Sequence, residues 1–336
     1  MSFLTPTSVA VIGASHEPGK VGHEIFKNLI TQGYKGKVYP VNPKGGSLLE
    51  REVFVSVKDL PAVDLAVIVT PAKTVPGILE ECGAKGITHT VIISAGFGEV
   101  HTKEGDALEK EVKSIAKKHD MHLIGPNCLG VIRPAINMNA SFAVGVPPAG
   151  GIAFISQSGA AAVALMDGAK DIGLGFSAVL SIGNKTVFDE TDALRLCADD
   201  SETKVIGLYL ESIQNGRKFL HEAASIKKPI VLLKAGVSEF GKKAAASHTG
   251  ALAGADSGIE ALCTQAGIVR AKSLEEFTDL LLVLSSEPSR VLATLSRPPL
   301  QSGTRSMWLV TPMPKDSKQH WKSAPKIRIS TASACS

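Results

Sequence analysis

The chain has 336 residues, of which 44% are hydrophobic and 20% charged, and a formal net charge of +4. That length suits two domains and that composition an ordinary globular protein, which excludes a disordered or fibrous chain. The mild charge without a Lys/Arg block, an aromatic content of 5% and the lack of a long apolar run exclude a nucleic-acid tracker and a membrane span.

From residue 8 to about 140 the pattern repeats: short apolar run, Gly/Pro turn, amphipathic stretch. Val9–Ile12, Lys37–Val41, Leu65–Val69, Thr90–Ser94 and His122–Ile124 read as strands. Gly22–Gln32, Thr74–Ala84 and Gly105–Lys118 read as helices. Apolar strands alternating with helices predict a parallel sheet covered on both faces, a Rossmann-like α/β domain over residues 1–146. The cluster Val146-Pro147-Pro148-Ala149-Gly150-Gly151 then resets the pattern. A second α/β series follows over residues 147–287. Its expected strands are Ile152–Ile155, Ala178–Ile182, Val205–Leu210 and Ile230–Leu233. Its expected helices are Ala160–Lys170, Asp189–Asp199, Lys218–Ser225, Gly258–Ala266 and Ser273–Leu284. The spacing predicts a smaller, flavodoxin-like sheet. Residues 288–336 are rich in Pro, Ser, Thr, Lys and Arg with little periodicity, and are expected to form an irregular tail.

The N-terminus runs straight into Val9-Ala10-Val11-Ile12 without the regions of a signal peptide. Cys82, Cys128, Cys197, Cys263 and Cys335 are scattered, with no CxxC or metal spacing. A cytoplasmic chain with reduced thiols and no metal is expected.

Four motifs carry chemistry. Gly13-Ala14-Ser15-His16-Glu17-Pro18-Gly19-Lys20 follows the first strand and opens the first helix, where backbone N–H groups meet a phosphate. At the end of the second strand stands Val41-Asn42-Pro43-Lys44, where an NAD site wants an acidic residue. The cation Lys44 suits a ribose phosphate instead, as in NADP or coenzyme A; the plain alternative is a solvated turn lysine. Ser94-Ala95-Gly96-Phe97-Gly98-Glu99 and Gly125-Pro126-Asn127-Cys128 follow strands of the same sheet, so Ser94, Ala95 and Asn127 fall where ligands bind in such folds. Cys128 reads as a buried structural thiol, since nothing beside it lowers its pKa. Ser156-Gln157-Ser158-Gly159 stands between a strand and a helix, an anion site or a plain N-cap.

A fifth motif pairs Glu211, at the end of the strand Val205–Leu210, with His248 in the small-residue stretch Ala244–Gly254. A strand-end carboxylate that holds one imidazole nitrogen leaves the other free as a nucleophile for phosphoryl transfer. The alternatives are a surface glutamate and an incidental histidine.

Five stretches taken in order resemble the α subunit of the ADP-forming (NDP-forming) acyl-CoA synthetases, relatives of succinyl-CoA ligase. They are Gly13–Gly22, Val41–Lys44, Gly125–Gly130, Ser156–Gly159 and Ser247–Gly250, and the likeness covers residues 8–287. The resemblance implies an N-terminal CoA-binding domain and a succinyl-CoA synthetase-like domain carrying a phosphohistidine. It makes His248 the phosphoryl carrier and Glu211 its orienting carboxylate. Ser156, Ser158 and Gly159 become the phosphate site, and Gly13, Ser15, Gly19, Lys20, Lys44, Ser94, Ala95 and Asn127 fall among the CoA contacts. The implied reaction interconverts acyl-CoA, phosphate and ADP with carboxylate, CoA and ATP through an acyl phosphate. ADP/ATP and Mg enter only through a partner ATP-grasp β subunit, in a homo- or hetero-oligomer.

Succinyl-CoA ligases carry a tyrosine where this chain has Ala160-Ala161-Ala162-Val163, which points to a small monocarboxylic acyl group. The last ~30 residues look like none of the family, and the expectation is that a truncated gene or a shifted reading frame would account for their composition. The alternatives are a truncated or regulatory CoA-binding module without complete turnover, and an NADP-dependent oxidoreductase, which leaves the second domain unexplained.

Overall fold

The structure is a computed structural model, and it describes residues 3–236 and 256–286. The first sheet has five parallel strands: β1 (Ser8–Ile12), β2 (Lys37–Val41), β5 (Leu65–Ile68), β6 (His89–Ile92) and β7 (His122–Ile124), in the order β2-β1-β5-β6-β7. β1 and β5 are buried along their whole length, which is why they read as unbroken apolar runs. Helices α1 (Val21–Thr31), α2 (Val75–Ala84) and α3 (Lys103–Lys118) cross between the strands. The short hairpin β3 (Ser47–Leu48) and β4 (Arg51–Glu52) turns through Leu49 and Glu50 at φ 46° and 63°.

α3 shows why these segments become helices. Thr102 caps it by accepting from the Gly105 amide at 3.1 Å, Glu104 and Asp106 open it, and Lys117 and Lys118 close it. Each feature complements the helix dipole or an unpaired end group, and such a cap contributes about 1 kcal/mol.

The second sheet has seven strands, in the order β14-β13-β12-β10-β11-β8-β9. β10 (Ala149–Ser156), β11 (Phe176–Ser181), β12 (Val205–Leu210), β13 (Ile230–Lys234) and β14 (Val269–Ala271) are parallel. β8 (Gly130–Arg133) and β9 (Met138–Ser141) form an antiparallel hairpin on the β11 side. The sheet is therefore larger than the first, not smaller as its spacing predicts. The difference is the hairpin, which precedes the Pro/Gly cluster in sequence but pairs with the strands after it, and the short strand β14. Helices α4 (Gly159–Ile172), α5 (Glu190–Asp199), α6 (Gly216–Ser225), α7 (Asp256–Ala266) and α8 (Leu274–Ser286) complete the unit. No helix among the described residues is long and apolar enough to cross a membrane.

One hydrophobic core runs through both sheets. It joins Val9, Phe26 and Val91 to Ile155, Leu180 and Leu208. The described residues accordingly form one compact unit.

Candidate functional site

Loops leaving the carboxyl ends of β5, β6, β7, β10, β11, β12 and β13 line a cavity of about 1350 Å³. This is where the ends of parallel strands leave backbone groups free and where ligands settle in open α/β sheets.

On the first-sheet wall, Ser94 Oγ donates to the Thr70 carbonyl at 2.5 Å, and Thr70 Oγ1 is buried with no hydrogen-bond partner among the described residues. Asn127 adopts φ 57°, and its amide donates to the Ser94 carbonyl at 2.9 Å. Its Nδ2 donates to Asn184 Oδ1 at 3.3 Å, which brings in the loop after β11. Asn184 Nδ2 in turn donates to Glu99 Oε2 at 2.5 Å and Glu109 Oε2 at 3.2 Å. The Gly96 and Gly98 amides hold those carboxylates at 2.6 and 2.8 Å. One asparagine therefore stitches the loops of the two sheets together across the cavity. Cys128 also lines it, but its thiol donates to the Ile92 carbonyl at 3.2 Å, and burial pushes its pKa up to about 12. A thiol held so is a weak nucleophile.

The second-sheet wall is built on the turn from β10 into α4. Ser158 is the N-cap of α4, its Oγ accepting from the Ala161 amide at 3.3 Å, and Ser158, Gly159 and Ala160 line the cavity. A 14-residue helix therefore points its N-terminus, with its partial positive charge, at the space. Ser156 is fully buried and its Oγ donates to the Ser158 carbonyl at 2.6 Å, so it shapes the turn and does not face the cavity. Gln157 holds the neighbouring turn after β12: its Oε1 accepts the amides of Glu211 and Ser212, both at 3.0 Å. Glu211 lines the cavity, and its Oε2 is buried without a hydrogen-bond partner among the described residues. Tyr209 lies beside it, with a hydroxyl pKa raised by burial and by the charge of Glu211.

Below this turn lies a buried ion pair. Lys185 Nζ meets Glu190 Oε2 at 2.8 Å, with side-chain exposures of 2% and 0%. The same ammonium donates to the Ser212 carbonyl at 2.8 Å and to its hydroxyl at 3.1 Å.

Of the residues singled out in the sequence, Ser94, Ala95, Asn127, Ser158, Gly159 and Glu211 share the cavity wall. Gly13, Ser15, Gly19, Lys20 and Lys44 stand on the turns after β1 and β2, outside that lining, and Val21 at the start of α1 links them to it. Gly13 has φ 97°, and a Cβ there would lie 2.5 Å from the Val69 carbonyl oxygen, so only glycine fits. Ser15 Oγ accepts from the Glu17 amide at 3.0 Å, and the Gly19 amide donates to Glu24 at 2.9 Å. Lys20 and Lys44 are exposed on those turns, which Asn42 joins by donating to the Ala14 carbonyl at 2.9 Å. His248 lies outside the described residues. Sequence reasoning assigned no role to Gln157, Asn184, Lys185, Glu99 or Glu109. Gln157 and Glu99 stand inside quoted motifs, which is the one signal that pointed to them.

Residues 7–134 match the CoA binding domain, and residues 149–284 match the succinyl-CoA ligase like flavodoxin domain. The chain is 48% identical over 287 residues to the acetate–CoA ligase (ADP-forming) of Methanocaldococcus jannaschii. It belongs to the ADP-forming acyl-CoA synthetase family.

A second member of that family, the acetate–CoA ligase (ADP-forming) I subunit alpha of Pyrococcus furiosus, is 46% identical over 294 residues. The match covers 84% of this chain and 40% of the M. jannaschii protein, and 85% of this chain and 63% of the P. furiosus subunit. The chain thus spans between two fifths and two thirds of the length of these two relatives. The fold agrees with that of the dinucleotide forming acetyl-coenzyme A synthetase 1 of Ca. Korarchaeum cryptofilum, solved in complex with phosphate and ADP. The TM-score is 0.80 at 40% identity, over 84% of this chain and 61% of that one. As in the expectation drawn from the motifs, a CoA-binding α/β domain is followed by a succinyl-CoA ligase-like flavodoxin domain.

Proposed function

We propose that this chain is the CoA-binding and phosphohistidine-carrying part of an ADP-forming acyl-CoA synthetase. An oxygen of inorganic phosphate attacks the thioester carbonyl of acyl-CoA. The C–S bond breaks, CoA leaves as the thiol, and an acyl phosphate forms. A ring nitrogen of His248 then attacks phosphorus, the P–O bond to the acyl group breaks, and the carboxylate departs. Phospho-His248 transfers its phosphoryl group to ADP, with Mg, on a partner ATP-grasp subunit.

The observation that carries this reading is the Glu211 carboxylate. Glu211 lines the cavity beside the N-terminus of α4, and its buried Oε2 lacks a partner among the described residues. An unpaired buried carboxylate oxygen is costly unless something arrives to bond it. An imidazole N–H fits that need, and the helix N-terminus fits a phosphoryl group. Ser158 and Gly159 serve that group directly, and Ser156 serves it by shaping the turn. Ser94, Ala95 and Asn127 serve the thioester end of CoA. Gly13, Ser15 and Gly19 serve its pyrophosphate through the turn after β1, and Lys20 and Lys44 its phosphates. Ala160 and Val163 line the cavity, which supports a small monocarboxylic acyl group.

The test is labelling. The chain incubated with acetyl-CoA and [32P]phosphate should take up an acid-labile, base-stable label, and His248→Ala should take up none. Glu211→Gln should label about a hundredfold more slowly. Equal labelling of the His248→Ala protein refutes the reading.

A further inference from the structure

Glu211 and Ser212 form the turn that leaves β12, and all four of their backbone polar groups are tied by side chains. Gln157 takes both amides, Lys185 donates to the Ser212 carbonyl, and Lys234 Nζ donates to the Glu211 carbonyl at 2.6 Å. Within this turn the Glu211 carboxylate keeps a buried oxygen that no described residue bonds.

Lys234 is the odd member of this set. It ends β13, directly opposite Leu210 on the paired strand β12, and its residue exposure is 5%. Among the described residues its ammonium bonds two carbonyls, those of Glu211 and Ala235, the latter at 2.7 Å. Lys185, by contrast, has the Glu190 carboxylate. Burial lowers the pKa of Lys234. Among the charges that act on it, Glu211 is the anion and Lys185 and Arg270 are cations. Placing an ammonium in such a site costs several kcal/mol, which two bonds to neutral carbonyls offset only in part. Fold stability therefore does not account for a cation here. Neither does contact with a bound molecule, because Lys234 stands behind the cavity wall that Ala235 and Gly236 line.

We infer that Lys234 is a positioning residue for Glu211. Its ammonium fixes the Glu211 carbonyl from behind, opposite the grip of Gln157 on the amide. With both ends of the peptide held, the carboxylate leaves the turn in one direction and keeps its free oxygen toward the cavity. The inference rests on the reading of Glu211 as the partner of His248, and it adds the residue that aims that carboxylate.

The experiment is the labelling reaction with acetyl-CoA and [32P]phosphate, run on the full chain and on Lys234→Met, Glu211→Gln and the double variant. Melting curves and the KM for acetyl-CoA are measured in parallel. Lys234→Met should lower the labelling rate about a hundredfold, the scale of an ångström-sized misplacement, with KM unchanged. In the Glu211→Gln background the same change should have no further effect. Lys234→Gln, which keeps an N–H donor, should recover part of the rate and serves if the methionine variant does not fold. A Lys234→Met rate equal to that of the parent overturns the inference. So does an equal fold-loss in both backgrounds, which marks a general structural role. In both cases the parent still labels and His248→Ala does not. If the parent itself takes no label, the function proposed for Glu211 fails and this inference fails with it.

Discussion

The Lys185–Glu190 pair offers a quantitative test of how the cavity floor is built. Its two charges are 2.8 Å apart with side-chain exposures of 2% and 0%. Removing one partner leaves the other as an uncompensated buried charge, which costs about 3–5 kcal/mol. Glu190→Gln keeps the oxygen that accepts the Gln214 amide, now at 2.6 Å, so its loss is almost wholly the stranded ammonium. Lys185→Met strands the carboxylate and also removes two bonds to Ser212. The double variant Lys185→Met/Glu190→Gln strands no charge. Its cost should be the lost hydrogen bonds, about 2–3 kcal/mol, less than that of either single change. Urea unfolding at pH 7, followed by far-UV circular dichroism and a second probe to check two-state behaviour, gives the four stabilities. Additive losses in the double variant, or a single-variant loss under about 1 kcal/mol, would show that the pair is not the buried, mutually dependent unit described here.

Asp200 gives a pH-dependent counterpart. Burial pushes its carboxyl up, but bonds from Arg133 and Thr203 outweigh that and hold it below the usual 3.8. A carboxyl depressed on folding contributes stability above its unfolded pKa and loses it as pH falls through the folded one. The stability gap between the protein and Asp200→Asn in urea melts should therefore be full at neutral pH and should shrink below about pH 4; a gap that widens toward acid contradicts the assignment. Burial also pushes Cys82, Cys128 and Cys197 up to about 12 and Cys263 to about 11. In a Cys335→Ser protein at pH 8, a thiol reagent should modify none of these four until guanidinium unfolds the chain. Stoichiometric modification of native Cys128 would show an activated thiol.

The parallel strands were legible because burial on both faces removes polar residues: Val9–Ile12 and Leu65–Ile68 carry none. The β8–β9 hairpin was not, because polar residues interrupt it. Arg133 is buried by a two-pronged bond to Asp200 at 2.7 and 2.8 Å, and Asn139 by bonds to the loop that follows. Neither compensation shows in the local sequence. β14 is three residues long and carries no period of its own. In the site, glycine- and serine-rich loops after strands marked Ser94, Asn127 and Ser158 because their chemistry is local. Lys185 and Lys234 escaped notice because lysine is normally a surface residue, and what holds them lies across the fold. Gln157 acts on a turn more than fifty residues away, a juxtaposition only the sheet order creates.

The same order has a consequence for how this protein keeps to itself. β9 is the last strand of its sheet, and a bare last strand is a template on which another chain can polymerise. Here α1, a helix that belongs by connection to the other sheet, lies against that margin. The Asn28 amide occupies the carbonyls of Ser141 and Ala143, both at 2.9 Å, and β9 is buried along its length. A fragment begun at the Pro/Gly cluster would lose both β8–β9 and its guard and present β11 raw to solvent. The N-terminal half thus covers an edge of the C-terminal sheet, and the two are not freely exchangeable modules.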